Sequence, residues 1–302
     1  MELIAEVIRS SIPAAIPILL AALGGLFTWH ANVFNISMEG MLLASAFSAV
    51  VGSYFFESWI VGILFGIAGA LFISLLFGFF VFKMKAGEFI TGIAINTFVL
   101  GLTTYMLRAI FSVKGSLINS RIKGIPKLNI PIIENIPIIG RIISGHSVLV
   151  YISIIIIVPV CYILLYKTPF GLRLRASGQD SKVVDSIGLK SIALSFKAIL
   201  ICGFLSGIGG SFLSLGYMTM FTENMSNGRG WISLASIIVT KGNPVLVLAV
   251  SLIFGLMEGI GLVLQKYQLP SQITSMLPYI AVLIVLYANS KTKKVKESLT
   301  EA

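Results

Sequence analysis

Charge is scarce in this sequence. Asp, Glu, Lys and Arg together make up 11% of its 302 residues, whereas ordinary globular chains carry about a quarter. Twelve acids and twenty-two bases cannot cover a chain of 32.6 kDa with polar surface, which excludes a cytosolic enzyme, a nucleic-acid binder and a disordered scaffold. Histidine and cysteine are nearly missing, with two of each. Cys161 and Cys202 sit inside apolar runs and read as small core residues, neither a disulfide pair nor metal ligands. His30 has no second His within helical reach, so it reads as a satisfied boundary residue. Catalytic constellations are lacking too: there is no Ser/His/Asp set, no carboxylate pair and no metal-ligand cluster. A phosphate-binding G-x-x-x-x-G-K-S/T loop is also missing, since the nearest fragment, Gly188-Leu189-Lys190-Ser191, has no glycine-rich cradle. No catalytic residue, metal or cofactor is expected, and if the protein pumps, another chain hydrolyses the nucleotide. The amino terminus shows no basic region or small-residue cleavage site, so no cleavable signal peptide is expected.

What is present is apolar length. Hydrophobic residues make up 57% and the mean hydropathy is +0.98. A bilayer core about 30 Å thick takes roughly 20 helical residues, and the runs predict an all-α, polytopic bundle of about nine spans (8–10). They lie near 12–28, 37–55, 59–82, 88–111, 147–166, 196–221, 229–241, 243–264 and 271–289. The polar stretch Trp29-His30-Ala31-Asn32-Val33-Phe34-Asn35 separates the first two. The seventh is too short for a full crossing and predicts a broken or re-entrant helix.

Basic residues set the orientation. With nine crossings and the amino terminus outside, four clusters fall in the cytoplasm. They are Lys83 with Lys85, the segment from Lys167 to Lys197, Lys241, and the tail with Lys291, Lys293, Lys294 and Lys296. The net charge of +10 is then cytoplasmic loop charge. One loop disagrees: 113–146 carries Lys114, Arg121, Lys123, Lys127 and Arg141 yet must lie outside. Its Pro126, Pro131 and Pro137 predict a folded external cap.

The chain also echoes itself. Gly24-Gly25-Leu26-Phe27 returns as Gly209-Gly210-Ser211-Phe212, Leu43-Ala44-Ser45 as Leu234-Ala235-Ser236, Leu64-Phe65-Gly66 as Ile253-Phe254-Gly255, and Ile90-Thr91 as Ile273-Thr274. The order is kept and the separation nearly constant. The expected layout is one permease-like domain over 1–302. It comprises a first repeat (about 12–112), the external loop 113–146, a linking span 147–166, a cytoplasmic loop 167–195, a second repeat (about 196–289) and the tail 290–302. Two four-span units about one linking span have opposite topology, the plan of many transporters with a central path. Glu39-Gly40 and Arg229-Gly230 then occupy related positions at helix breaks.

Charge inside a bilayer costs at least about 2.5–3.5 kcal/mol at the helix centre, so each case needs a reason. Glu39 and Asn35 are four apart and at helical spacing would share a face. Glu39 reads either as a polar break lining a path or as an interfacial group met by freed backbone amides. Asn96 fits solute contact or an interhelical hydrogen bond, and Glu258 reads as an interfacial, snorkelling acid. The spacings Gly62/Gly66, Gly203/Gly207 and Gly255/Gly259 allow close helix approach.

Segment 167–195 is basic and patterned. Pro169 and Gly171 predict a turn, followed by a basic strip at Arg173 and Arg175. Asp180 or Ser181 caps a short helix through Val183, Val184 and Ile187 that Gly188 ends. Two helical turns cannot bury an apolar side alone, and docking on a partner is the favoured reading over packing on the bundle.

These residues carry a resemblance. Phe34-Asn35-Ile36-Ser37-Met38-Glu39-Gly40 resembles the FNIGLEG signature of bacterial ABC-transporter permeases for simple sugars and purine nucleosides, within the ribose/branched-chain amino-acid permease superfamily. Thr168-Pro169-Phe170-Gly171-Leu172-Arg173-Leu174-Arg175-Ala176-Ser177-Gly178 resembles TPFGLRLRAxG before the family's coupling helix. Asn227-Gly228-Arg229-Gly230-Trp231-Ile232-Ser233-Leu234-Ala235 resembles GRGFIALA, and Gly242-Asn243-Pro244 the GxxNP that follows. Ser37 stands where the family has Gly. Ser181 and Val183-Val184 stand where its coupling helix has Pro and Ala-Ala.

The resemblance implies a multi-pass permease subunit of the bacterial cell membrane that imports nucleosides. It also implies several partners: an ABC ATPase with two cassettes that binds the ATP, a second permease subunit (a paralogue as a rule), an extracytoplasmic substrate-binding lipoprotein and membrane lipid, but no nucleic acid. Residues 178–189 become the coupling helix, with Arg173, Arg175, Gly178, Asp180, Val183, Val184, Ile187 and Gly188 as coupling residues. Asn35, Glu39, Asn96 and Arg229 become candidates for the substrate path. Two alternatives remain open: a simple-sugar or branched-chain amino-acid ABC permease, and an ion-coupled secondary carrier using Glu39.

Overall fold

The computed structural model describes residues 2–129, 140, 142, 144–266, 276–283 and 287. Among the described residues, seven helices are long and apolar enough to cross a membrane. In our numbering these are α1 (Glu2–His30), α2 (Met38–Phe56), α3 (Trp59–Lys83, ending in a π-helical turn), α4 (Glu88–Phe111), α5 (Val148–Tyr166), α8 (Ser191–Tyr217) and α10 (Pro244–Lys266). Between them lie α6 (Pro169–Gln179), α7 (Ser181–Ser186) and the short apolar α9 (Arg229–Thr240). Residues 276–283, inside the ninth expected span, are helical. The basic tail lies outside the described residues, as does most of 130–143.

Two helices make the centre. Nearly nine-tenths of α1 and a similar share of α8 are buried, against about a third of α3, α4, α5 and α10. Helix α1 packs on α8, α9 and α10, while α8 packs on α1, α2 and α3. Thus α1 meets α10 much as α8 meets α3. Lipid gives no hydrophobic drive between helices, so contact depends on small residues and hydrogen bonds. At Gly207 a Cβ would sit 2.8 Å from the Ile67 Cα, and at Gly255 it would sit 2.5 Å from the Ser11 carbonyl. The glycine spacings therefore serve the α8–α3 and α10–α1 contacts. Ser45 Oγ adds a 2.5 Å hydrogen bond to the Gly207 carbonyl.

One end of the bundle carries two short antiparallel strand pairs. β1 (Ser116–Leu117) pairs with β4 (Phe221–Thr222), and β2 (Lys127–Leu128) with β3 (His146–Ser147). Buried His146 donates to the Ile142 carbonyl at 2.7 Å, and burial holds its imidazole pKa below the usual value. The other end carries α6 and α7.

The loop 167–195 is more helical than expected. Pro169 does not open a turn but occupies the first turn of α6, where its missing N–H costs nothing. Thr168 Oγ1 caps this helix by accepting from Gly171 N. As expected, Asp180 caps α7 and Gly188, at φ 83°, follows its end.

Candidate functional site

Two chain segments interrupt the bundle. Residues 31–37 run without helix from the end of α1 to the start of α2. Residues 223–228 lead from β4 to the start of α9. Helix α2 runs away from its break towards the strand end, where Ser53 Oγ accepts from Lys123 N. Helix α9 runs the opposite way, and Gly242, just past its end, reaches His30 beside α6. The two helices therefore start close together within the bundle, and both positive dipole ends point into the same region.

Glu39 fills that region. Its carboxylate accepts from Ser226 Oγ at 2.5 Å, from Gly228 N at 2.8 Å and from Gly230 N at 2.7 Å. An acid on the second residue of α2 thus caps the orphan amides of α9. Two glycines make this possible. Gly228 has φ 81°, and a Cβ there would strike the Tyr279 hydroxyl; a Cβ on Gly230 would strike the backbone of Glu39. Asn96 of α4 holds the other helix start: its Oδ1 accepts from Gly40 N at 2.8 Å and its Nδ2 donates to the Ile36 carbonyl at 3.1 Å.

Arg229 is 7% exposed. Its Nη2 pairs with Glu258 of α10, and its Nη1 donates to the carbonyls of Met225 and Ser226. Glu258 does not snorkel to an interface, because a buried guanidinium needs a counter-ion and Glu258 lies within reach. Asn35 does not share a face with Glu39, since residues 33–37 are not helical. Its side chain is buried, accepts from Ser37 N and Oγ, and donates to Cys202 Sγ.

A cavity of about 390 Å³ lies on each side of the junction. One is bordered by Glu39, Asn96, Thr97 and Trp231. The other is bordered by Arg229, Glu258, Gln265 and Glu223. Asn224, Asn227 and Tyr279 border both. The volumes are those of small-molecule sites, roughly 300–1,000 Å³. Three of the four expected path residues, Glu39, Asn96 and Arg229, are brought to these cavities, while Asn35 does not line either of them. Sequence reasoning missed Glu258 as a partner, together with Asn224, Asn227, Trp231 and Tyr279. A usable signal for Glu258 was Arg229 itself, an uncompensated cation beside an apolar run.

The expected coupling residues divide by environment. Val183 and Ile187 are 58% and 70% exposed, and Arg173 is exposed. Val184, at 3%, packs into the bundle. Arg175 lies over the Tyr166 ring at 4.9 Å, and Gly178 rests on the backbone of His30 and Asn32. Asp180 Oδ1 accepts from Lys182 N and Val183 N. Asp185 ties α7 to α8 by accepting from Ser191 N and Oγ.

Comparison with known proteins agrees with this architecture. The family model described as "Branched-chain amino acid transport system / permease component" matches residues 7–286. A guanosine ABC transporter permease protein of Bacillus subtilis is 28% identical over 301 residues, covering 95% of this chain and 92% of the relative. A nucleoside ABC transporter permease protein of Lactococcus lactis is 30% identical over 281 residues, covering 89% and 87%. The solved structure of PsaBC from Streptococcus pneumoniae in complex with Fab shares the fold, with a TM-score of 0.51 at 13% identity over 92% of this chain and 89% of that one. The chain therefore belongs to the family of branched-chain amino acid transport system permease components, and is a multi-pass ABC permease subunit of the bacterial plasma membrane that works with an ATPase and other permease subunits and is not itself an enzyme.

Proposed function

We propose that this chain forms the membrane passage of an ATP-driven importer of nucleosides, with the two cavities at the α2–α9 junction as its solute site. One observation carries the reading: every charge at the junction is met from within, Glu39 by a hydroxyl and two amides and Arg229 by Glu258 and two carbonyls. A zwitterionic amino acid would need an unpaired counter-charge. A neutral, planar, hydrogen-bonding solute needs amides and aromatic faces, which Asn96, Asn224, Asn227, Trp231 and Tyr279 supply. The relatives named for guanosine and nucleosides point the same way. The ion-coupled alternative finds less support at its candidate, because the Glu39 carboxylate is already engaged by three donors of the chain in holding the start of α9.

The reading includes an inverted repeat. Its support is the mirrored packing of α1 on α10 and α8 on α3. A second mirrored detail is that Asn96 donates to the Ile36 carbonyl before α2, while Tyr279 donates to the Asn227 carbonyl before α9. Lys83, Lys85, Lys241 and the α6–α7 segment belong to one end of the bundle. Its positive charge supports a cytoplasmic position for that end, with the amino terminus outside and the carboxyl terminus inside. A lipoprotein hands solute to the strand end, a paralogous permease completes the passage, and a two-cassette ATPase binds the ATP and drives α6 and α7. Exposed Val183 and Ile187 offer that ATPase its apolar contact.

The test is uptake of labelled guanosine by cells holding the complete system. Unlabelled nucleosides compete, and ribose, glucose and leucine do not. Uptake also survives a protonophore when ATP is maintained. Competition by a sugar or by leucine, or collapse with the proton gradient at constant ATP, overturns the assignment.

A further inference from the structure

The cytoplasmic end of α9 is held by a second cluster, one that the solute site does not use. Helix α9 ends at Thr240, and Lys241 and Gly242 both take left-handed backbone there, with φ 49° and 81°. The Gly242 carbonyl points at two side chains from other elements. His30 Nε2, at the end of α1, lies 3.0 Å away, and Tyr166 Oη, at the end of α5, lies 3.3 Å away. A carbonyl only accepts, so His30 carries its proton on Nε2. The two rings meet edge to face, with centroids 6.0 Å apart. Helix α6 bears on both. Arg175 stacks on Tyr166, and Gly178 is in backbone contact with His30. A Cβ on Gly242 would lie 2.9 Å from His30 Nε2 and from Trp29 Cδ1, so glycine is required there by space as well as by φ.

We propose that His30 and Tyr166 are positioning residues that clasp α9 to the lever formed by α6 and α7, and that α9 is the rigid strut linking this lever to the solute junction. The inference rests on the importer reading above. Its physical basis is that an α-helix of twelve residues is about 18 Å long and moves as a body. The end clasped at Gly242 and the end capped by Glu39 at Gly230 are the two ends of that one body. Displacement of α6 bears on His30 and Tyr166 and through them on Gly242, and shifts α9 along its axis. At the far end, the bonds from Gly228 N and Gly230 N to Glu39 are the ones that must lengthen. Asn227 and Trp231, which border the cavities, travel with the helix. The lever stroke is thereby converted into a change at the solute site, with no flexible segment between them.

The experiment uses the complete transporter reconstituted in vesicles and reads solute moved per ATP hydrolysed. His30→Phe with Tyr166→Phe removes both donors and keeps both rings. The ratio is expected to fall about fivefold or more while ATP hydrolysis stimulated by the loaded binding protein persists. His30→Gln, which retains a donor, restores most of it in the Tyr166→Phe background. Gly242→Ala attacks the clasp from the other side and gives the same uncoupling. A second readout covers poor assembly of the double variant. With Trp29→Phe and Trp59→Phe, Trp231 at the start of α9 is this chain's sole tryptophan; labelled there with 5-fluorotryptophan before assembly with unlabelled partners, its fluorine resonance shifts when the ATPase is trapped closed. Tyr166→Phe alone, which deletes one hydroxyl, reduces that shift. An unchanged ratio in the assembled double variant, or an unchanged Trp231 shift in Tyr166→Phe, overturns the strut. Absence of ATP-dependent uptake by the unaltered complex instead rejects the importer reading, so the two failures are distinct.

Discussion

The α2–α9 junction and the α6–α7 segment are both rich in polar residues, but they are built on opposite rules. At the junction the two central charges are buried and their counter-groups are found inside the chain, Glu39 on the amides of α9 and Arg229 on Glu258. Low dielectric makes any unmet group there expensive, so the arrangement is rigid and its geometry well defined. In α6 and α7 the polar groups are spent on local caps, at Thr168 and Asp180, and apolar side chains are left uncovered. Leu172, Val183, Ile187 and Ile192 are all more than half exposed at one end of the bundle. On the function proposed above, the region that holds solute meets its central charges from its own chain, whereas the region that receives the push leaves apolar side chains for another chain to cover.

This contrast can be broken or sharpened by substitution. The largest effect is expected for Glu258→Ala, which strands a buried guanidinium and should cost about 3–5 kcal/mol, read as lost thermal stability in detergent. Arg229→Met with Glu258→Met should regain most of that stability without regaining uptake. Next comes Val184→Asp, which buries a carboxylate inside the bundle and should cost about 2–4 kcal/mol, seen as a low folded yield. Glu39→Ala leaves two amides and a hydroxyl unmet and should cost about 2 kcal/mol. Glu39→Gln should cost less and leave uptake insensitive to protonophore. The smallest change in stability is expected for Ile187→Asp, within about 0.5 kcal/mol because the site is exposed. Its uptake should nevertheless fall sharply while basal ATP hydrolysis persists. Normal uptake by Ile187→Asp would remove the division between the two regions.

Much of the fold could be read from residue order because bilayer thickness imposes a length on every span. The break before Ile36, the short helix after Asn227 and the capped helix at Asp180 all follow from local signals. Side-chain direction did not. Val183, Val184 and Ile187 look alike in sequence, and only the packing of α7 on the bundle turns Val184 inward. The spacing of Asn35 and Glu39 implied a shared face, but a four-residue step has that meaning only within a helix. Glu258 and Arg229 are separated by a turn and most of two helices, so their pairing depends on how α9 meets α10. Pro169 was ambiguous for a different reason, since the same ring suits a turn and the first turn of a helix.

The concentric build of the bundle sets a timetable for its making. Of the described spans α1 is made first, yet it has the largest buried share. The helices that wrap it, α8 and α10, end at Tyr217 and Lys266. At about 5–20 residues per second they follow after roughly 10–50 seconds. During that interval α1, with Glu6 and Arg9 near its start, lacks the helices that pack on it most. The chain can finish its interior only when its second half is nearly complete, so an early stop leaves no smaller core to fall back on.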